Sequence, residues 1–185
     1  MNGFVNALFY LDSLILIIML FGVTWSIAKP GKRIWPPASK RSWQYQITWL
    51  FFYLVIGLNT LLIIFDWNTW RYSHPVRFIL AIPVIIIGAL LFFWGIQTLG
   101  TKNTSGVNSG FIQNGPYQFT RNPQYLGDMV MFLGLSIMTN SQYLWITHAL
   151  LILVFTLTPL AEENWLEEEY GEDYLQYKNK TARYL

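Results

Sequence analysis

The stretch VRFILAIPVIIIGALLFFWGIQTL, residues 76–99, decides the fold class of this protein. It carries one charged side chain, Arg77, which lies near its start. A helix needs about 20 apolar residues, at a rise of about 1.5 Å each, to cross the roughly 30 Å hydrocarbon core of a bilayer. The stretch is therefore predicted to be a transmembrane helix.

Four further apolar runs flank this stretch. Residues 4–28 and 43–65 are long enough to span a bilayer, whereas residues 125–138 and 143–160 are shorter and are separated by the polar turn TNSQ. The two short runs are predicted to form a tight helical hairpin that either spans the membrane or enters it in part. The expected fold is an all-α integral membrane protein with about five transmembrane helices and a cytoplasmic C-terminal helical segment.

The chain is predicted to form one domain, because 185 residues is a typical length for a single domain. The apolar runs divide it into three N-terminal spans in residues 1–99, a cytoplasmic loop in 100–124, the helical hairpin in 125–160 and a cytoplasmic C-terminal cap in 161–185.

The composition argues against several classes of protein. Only 12% of the residues are charged, which is about half the fraction typical of soluble domains. The net charge of +2 and the lack of a basic run give no reason to expect a nucleic-acid partner. The sequence has no cysteine, and its two histidines, His74 and His148, lie far apart, so no metal site is expected.

Basic residues predict the orientation in the membrane. The connection after the first run, KPGKRIWPPASKR, holds five lysines and arginines and no acid. Loops rich in lysine and arginine stay in the cytoplasm. With alternating spans, the N-terminus is then outside and the C-terminus is cytoplasmic, in a multi-pass protein of a bacterial inner membrane or an endoplasmic reticulum type of membrane.

A rigid loop, NGPYQFTRNPQYLGD, precedes the predicted hairpin at residues 114–128. Pro116 and Pro123 restrict the backbone, and Asn122 is placed to cap the helix that follows Pro123. A helix N-terminus with free N–H groups beside Arg121 suits a carboxylate or phosphate. A capped loop whose arginine binds lipid phosphate at the surface remains an alternative interpretation.

An acidic segment, EENWLEEEYGEDYLQYKNK, follows the last apolar run. Most of its acids are interpreted as a solvated face. Glu162 and Glu163 differ because they lie where the membrane helix emerges, and they are predicted to pair with a cation such as Arg121.

Three polar residues interrupt the apolar runs. Asp12 is interpreted as hydrated near the outer interface, and His148 as a hydrogen-bonded residue in helix packing. Asp128 is predicted to face the same pocket as Arg121. A carboxylate at mid-membrane costs a few kcal/mol, so each aspartate needs such an explanation.

Four motifs in fixed order resemble the isoprenylcysteine carboxyl methyltransferase family and its phospholipid N-methyltransferase relatives. The resemblance covers about the last 80 residues. The motifs are Gly115-Pro116-Tyr117, Arg121-Asn122-Pro123-Gln124-Tyr125-Leu126-Gly127, Glu162-Glu163-x-x-Leu166 and Tyr170-Gly171-x-x-Tyr174-x-x-Tyr177.

This resemblance implies a membrane enzyme that transfers a methyl group from S-adenosylmethionine to a lipophilic acceptor entering from the bilayer, with the carboxylate of a prenylated cysteine as the first candidate. The family binds its cofactor without a Rossmann fold. Catalytic roles are implied for Arg121 and Glu163. Where the family often has Arg-His-Pro, this chain has asparagine at position 122, so no imidazole is available there. The implied cofactor contacts are Ile112, Gly115, Tyr117, Arg121, Asn122, Pro123, Tyr125, Leu126, Glu162 and Glu163.

Other functions remain open at this point. A phospholipid N-methyltransferase belongs to the same family, and membrane sterol reductases, which bind NADPH, are similar at Asn122-Pro123-x-Tyr125-Leu126-Gly127-Asp128. A non-catalytic scaffold or small transporter is the third interpretation. The acceptor pocket would be lined by the first three spans, where the resemblance does not extend.

Overall fold

Five α-helices account for most of the chain in a computed structural model, which describes residues 2–71, 73–107 and 109–184. Two short 3₁₀ turns lie in the connections, and the described residues contain no strand. The all-α prediction is confirmed. The helices are α1 (Asn2–Ala28), α2 (Trp43–Phe65), α3 (Val76–Thr104), α4 (Pro123–Thr139) and α5 (Gln142–Lys180), and the 3₁₀ turns are Pro30–Lys32 and Gly115–Gln118.

Side-chain caps define the ends of several helices. Ser42 accepts a hydrogen bond from the Tyr45 N–H at the start of α2, and Ser141 does the same for Leu144 at the start of α5. Asn140 adopts a left-handed conformation with φ 49°, which ends α4. The turn between α4 and α5 is therefore as tight as the TNSQ motif predicts.

Four of the five helices are long and apolar enough to cross a membrane, namely α1, α2, α3 and α5, so the chain is a multi-pass membrane protein. With 17 residues, α4 is about 25 Å long and falls short of the hydrocarbon thickness. In contrast, α5 has 39 residues and is kinked at Gly171, where its backbone leaves helical geometry. The part before the kink, residues 142–170, continues through Leu160 without a break and is about 43 Å long, which exceeds the hydrocarbon thickness.

The helices are arranged in an open row in the order α2, α1, α5, α4, α3. The two ends of the row, α2 and α3, form no comparable interface with each other among the described residues. Buried leucines at the centre of the row join α1, α2 and α5. Many apolar side chains on the outer faces are exposed, which suits contact with lipid.

Glycines allow α3 and α4 to pack very closely. A Cβ atom at Gly88 would lie 2.5 Å from the Met131 backbone nitrogen, and one at Gly127 would lie 2.5 Å from the Phe92 nitrogen. Small residues at helix interfaces let backbones approach in this way in membranes. Hydropathy gave no indication of this interface.

Two of the three intramembrane polar residues can be assessed from the helix packing. Asp12 is fully buried and accepts a hydrogen bond from Asn59 Nδ2 at 2.9 Å, so its interpretation as a hydrated residue is wrong. Asp12 is enclosed where α1 packs against α2, and its position along α1 alone does not reveal this packing. His148 is buried with Nδ1 2.7 Å from Ser136 Oγ, which confirms its role in helix packing.

Candidate active site

Two connecting segments and the C-terminal segment meet at one end of the helix row. The Trp35 indole, between α1 and α2, donates to Glu162 Oε1 at 2.6 Å. Between α3 and α4, the Arg121 N–H donates to the Ala182 carbonyl at 2.9 Å. The segments predicted to be cytoplasmic therefore lie together, while the side of the membrane they occupy remains a prediction.

The predicted pair of Arg121 and Glu163 is present. Arg121 Nη2 lies 2.9 Å from Glu163 Oε1, and each side chain is only 8% exposed. Arg121 Nη1 also donates to the Lys178 carbonyl at 2.8 Å. Its Nε is buried and has no hydrogen-bond partner among the described residues.

Two further cations, which the sequence interpretation did not include, share Glu163. Arg183 donates from Nε and Nη2 to the two carboxylate oxygens at 2.7 and 3.0 Å, and Lys178 Nζ lies 3.1 Å from Oε2. The bond to Glu163 raises the pKa of the Arg183 guanidinium. Lys178 also pairs with Glu167 at 2.6 Å, so three cations face two acids and the cluster keeps a net positive charge.

Glu162 has a different environment from Glu163, because consecutive residues on a helix point about 100° apart. Its Oε1 accepts hydrogen bonds from the Trp35 indole and from the Tyr125 hydroxyl, each at 2.6 Å. Both donors are neutral, and no cation pairs with Glu162 in the described part of the chain, so its predicted pairing with a cation is wrong. The site thus holds a partly buried carboxylate without a counter-charge.

A pocket at this end of the row collects most of the predicted cofactor residues, and we call it the donor pocket after the methyl donor that the resemblance implies. Aromatic side chains form one wall, with Phe111 stacked on Tyr170 at a ring distance of 4.8 Å. Burial raises the pKa of the Tyr117 hydroxyl, which stays neutral. The predicted residues that line the pocket are Ile112, Tyr117, Arg121, Asn122, Tyr125, Glu162 and Glu163. Lining residues that the sequence interpretation did not assign to the cofactor include Pro36, Phe111, Gln124, Trp165, Tyr170, Tyr174 and Tyr177.

Three of the predicted cofactor residues, Gly115, Pro123 and Leu126, do not line the pocket. Gly115 has a φ of 58°, a left-handed conformation that favours glycine, and it lies against Thr98. Pro123 begins α4, and the Leu126 N–H closes the first turn of that helix onto the Asn122 carbonyl. These residues shape the loop instead.

Asn122 occupies the predicted N-cap position, but its side chain does not cap the helix. Its Nδ2 donates to the Arg183 carbonyl at 3.0 Å, and Thr120 Oγ1 donates to the same oxygen at 3.0 Å. The side-chain capping prediction is therefore wrong, because the C-terminal residues compete successfully for the amide. The loop is fastened to the segment that follows α5.

A second cavity of about 510 Å³ lies among the five helices, and we call it the acceptor cavity after the lipophilic acceptor that the resemblance implies. Its walls are mainly apolar, and it shares Thr104, Gln124 and Tyr125 with the donor pocket. Asp128 lines this cavity and not the donor pocket, so its predicted position beside Arg121 is wrong. It lies one helical turn beyond Tyr125, where the donor pocket has already ended.

Comparison with known proteins agrees with this architecture. The sequence model of a family described as phospholipid methyltransferase matches residues 76–173, more than half of the chain. The chain belongs to the phospholipid methyltransferase family. The predicted resemblance is thereby confirmed, and the matched region of this family covers α3, α4 and most of α5, but neither Trp35 nor Arg183.

Two curated proteins are similar to this member of the family over part of their length. Phosphatidylethanolamine N-methyltransferase B of Dictyostelium discoideum is 35% identical over 79 residues, which is 40% of this chain and 40% of that protein. Steroid 5-alpha-reductase DET2 of Solanum lycopersicum is 30% identical over 112 residues, which is 58% of this chain and 41% of that protein. The chain thus spans about two fifths of the length of these relatives. No solved structure matches it.

Proposed function

We propose that this protein transfers a methyl group from S-adenosylmethionine to a lipophilic acceptor that enters from the bilayer. The observation that carries the proposal is Glu162, a partly buried carboxylate in the donor pocket that receives only neutral hydrogen bonds, from two side chains that line the acceptor cavity. A buried charge without a partner is costly, and a cationic ligand would neutralise it. The sulfonium of S-adenosylmethionine is such a cation.

The other end of the donor pocket suits the carboxylate of the same ligand. The cluster around Glu163 keeps a net positive charge, and the buried Arg121 Nε is unpaired among the described residues. Charge-assisted bonds from arginine to carboxylates are among the stronger hydrogen bonds in proteins. The tyrosines and Phe111 on the pocket wall would contact the adenine and the sulfonium.

This arrangement assigns the two predicted acids different roles. Glu163 holds Arg121, Lys178 and Arg183 in place, and Glu162, which accepts only neutral hydrogen bonds, would face the sulfonium of the bound ligand. When bound, S-adenosylmethionine supplies an activated methyl group, whose transfer needs alignment of the reactants more than acid or base catalysis. The residues of the donor pocket therefore act by positioning and by excluding water.

The acceptor cavity suits a molecule with a long apolar tail. It is large enough for a ligand of lipid type, and it lies between α2 and α3, the two ends of the open row. A prenylated cysteine and a phospholipid both have such tails and differ in the group that accepts the methyl. An amine is suggested by the name of the Dictyostelium relative, and a carboxylate by the predicted resemblance.

A second candidate is a reductase that uses NADPH, which the similarity to the tomato steroid reductase supports. The two functions differ in the cofactor they require. Purified protein in lipid nanodiscs should bind S-adenosylmethionine in a calorimetric titration and should transfer its radiolabelled methyl group into a lipid extract. Saturable NADPH binding without binding of S-adenosylmethionine would reverse the ranking.

A further inference from the structure

Asp128 has no assigned role in methyl transfer, although it lines the acceptor cavity. The residue is 8% exposed, and among the described residues nothing hydrogen-bonds or pairs with its carboxylate. Asp12, the other aspartate inside the helix row, receives a hydrogen bond from Asn59. Asp66, at the end of α2, receives one from Ser141. Unlike Asp12 and Asp66, Asp128 thus has a carboxylate that receives no hydrogen bond among the described residues.

No side chain among the described residues donates to Asp128, and the cavity that it lines is mainly apolar, with side chains such as Phe92, Val154 and Phe155. The hydroxyl of Thr158 also lines the cavity, but it donates to the Val154 carbonyl on its own helix. A carboxylate in such a place needs a hydrogen-bond donor or a cation, and intramembrane carboxylates commonly serve ligands.

The helical register places Asp128 beside the junction of the two cavities. It follows Gln124 by four residues and Tyr125 by three on α4, so the three side chains share one face within about 6 Å along the axis. Gln124 and Tyr125 line both cavities. A head group bound to Asp128 therefore lies within one helical turn of the donor pocket.

We propose that Asp128 is the specificity-determining residue of the acceptor cavity, and that it binds the amine of a bilayer lipid and excludes a carboxylate head group. The proposal rests on the proposed function. Opposite charges attract and like charges repel strongly where water is excluded. An ammonium group would neutralise Asp128, whereas a prenylated cysteine would bring a second carboxylate against it.

Methyl transfer to an amine acceptor at this site can be written with every proton and electron pair accounted for. The bound ammonium first passes one proton to the Asp128 carboxylate and becomes a neutral amine. The nitrogen lone pair then forms a bond to the methyl carbon, the carbon–sulfur bond breaks with its electrons going to sulfur, and the product is a methylammonium lipid. The carboxylic acid returns its proton to water when the product leaves.

The test compares two acceptors and one isosteric variant. Wild-type protein is incubated with radiolabelled S-adenosylmethionine in phosphatidylglycerol vesicles that contain either phosphatidylethanolamine or N-acetyl-S-farnesylcysteine. We expect label in the amine lipid and at least 100-fold less in the carboxylate. Asp128→Asn should lower kcat/KM for the amine about 100-fold, while calorimetry gives a Kd for S-adenosylmethionine within twofold of wild type.

Asp12→Asn is the matched control, since it makes the same substitution at a buried carboxylate that lines neither cavity. Its activity should stay near that of wild type. Labelling of the farnesylcysteine in preference to the amine, or unchanged kcat/KM in Asp128→Asn, would overturn the role of Asp128. The acceptor comparison holds even if the variant fails to fold. Absence of S-adenosylmethionine binding in wild type would instead remove the proposed function and this inference with it.

Discussion

At the scale of single residues, Glu162 and Glu163 are adjacent in sequence but have different partners in the structure. Both were predicted from their position at the end of an apolar run, and both line the donor pocket. The sequence predicted a pairing with Arg121 for both acids and did not distinguish them, because Trp35 and Arg183 carry no recognisable motif. The contacts of the two acids differ, because Glu163 pairs with cations and Glu162 receives only neutral hydrogen bonds.

The unpaired charge of Glu162 leads to a prediction about ligand charge. Glu162→Gln keeps an oxygen for Trp35 and Tyr125 but removes the negative charge. We expect the Kd for S-adenosylmethionine to rise about 10-fold, which corresponds to about 1.4 kcal/mol. The Kd for S-adenosylhomocysteine, whose sulfur is neutral, should change less than twofold. Equal weakening of both ligands in calorimetry would argue against a contact with the sulfonium.

Glu163 leads to a prediction about stability. Glu163→Gln leaves the buried Arg121 without its counter-charge, and breaking a buried ion pair costs about 3 to 5 kcal/mol. The melting temperature in detergent should fall clearly. Glu168→Gln is the matched control, because Glu168 is 64% exposed and lies 3.7 Å from Arg33, a surface pair worth about 1 kcal/mol at most. Similar melting of the two variants would contradict the structural role of Glu163.

At the scale of elements, the helices were easier to predict than their contacts. Long apolar runs predicted α1, α2 and α3 closely, because length and hydropathy decide whether a segment crosses a bilayer. The packing of α3 on α4 depends on Gly88, Gly127 and Gly134, and hydropathy does not report which faces meet. The continuity of α5 past Leu160 was missed because polarity changes there while the helix does not end.

The close approach of α3 and α4 predicts a strong effect of one methyl group. Gly127→Ala would put a Cβ atom 2.5 Å from the Phe92 backbone nitrogen, so the helices must separate at a cost of about 1 to 3 kcal/mol. Gly57→Ala is the control, because its Cβ would meet nothing within 4 Å and alanine favours a helix. Thermal unfolding should rank Gly127→Ala below wild type and Gly57→Ala at or above it; the reverse order would refute the tight interface.

At the scale of the whole molecule, the residues after α5 hold the site together. Carbonyls of Ala182 and Arg183 accept hydrogen bonds from the loop before α4, and the Tyr184 hydroxyl donates to the Thr156 carbonyl at 2.8 Å. Residues 161–185 were predicted to form a C-terminal cap, but the contacts made by the final residues were not predicted. Main-chain acceptors leave no trace in a sequence motif.

Deletion of residues 181–185 tests this fastening. The truncated protein loses both Arg183 bonds to Glu163 and the contacts that anchor the loop. We expect S-adenosylmethionine binding to fall at least 10-fold, while far-UV circular dichroism in detergent still reports the helices. Lys180→Ala serves as a control, because Lys180 is exposed and outside the cluster. Undiminished binding by the truncated protein would show that these residues are dispensable.

The gap between α2 and α3 bears on which measure of acceptor concentration would determine the rate of methyl transfer. If the acceptor reaches its cavity sideways through this gap, it never dissolves in water, and its bulk molarity is irrelevant. The rate would follow the mole fraction of acceptor in the membrane, and adding an inert lipid would slow turnover at constant total acceptor. Methylated lipid would also build up first in the leaflet that faces the donor pocket.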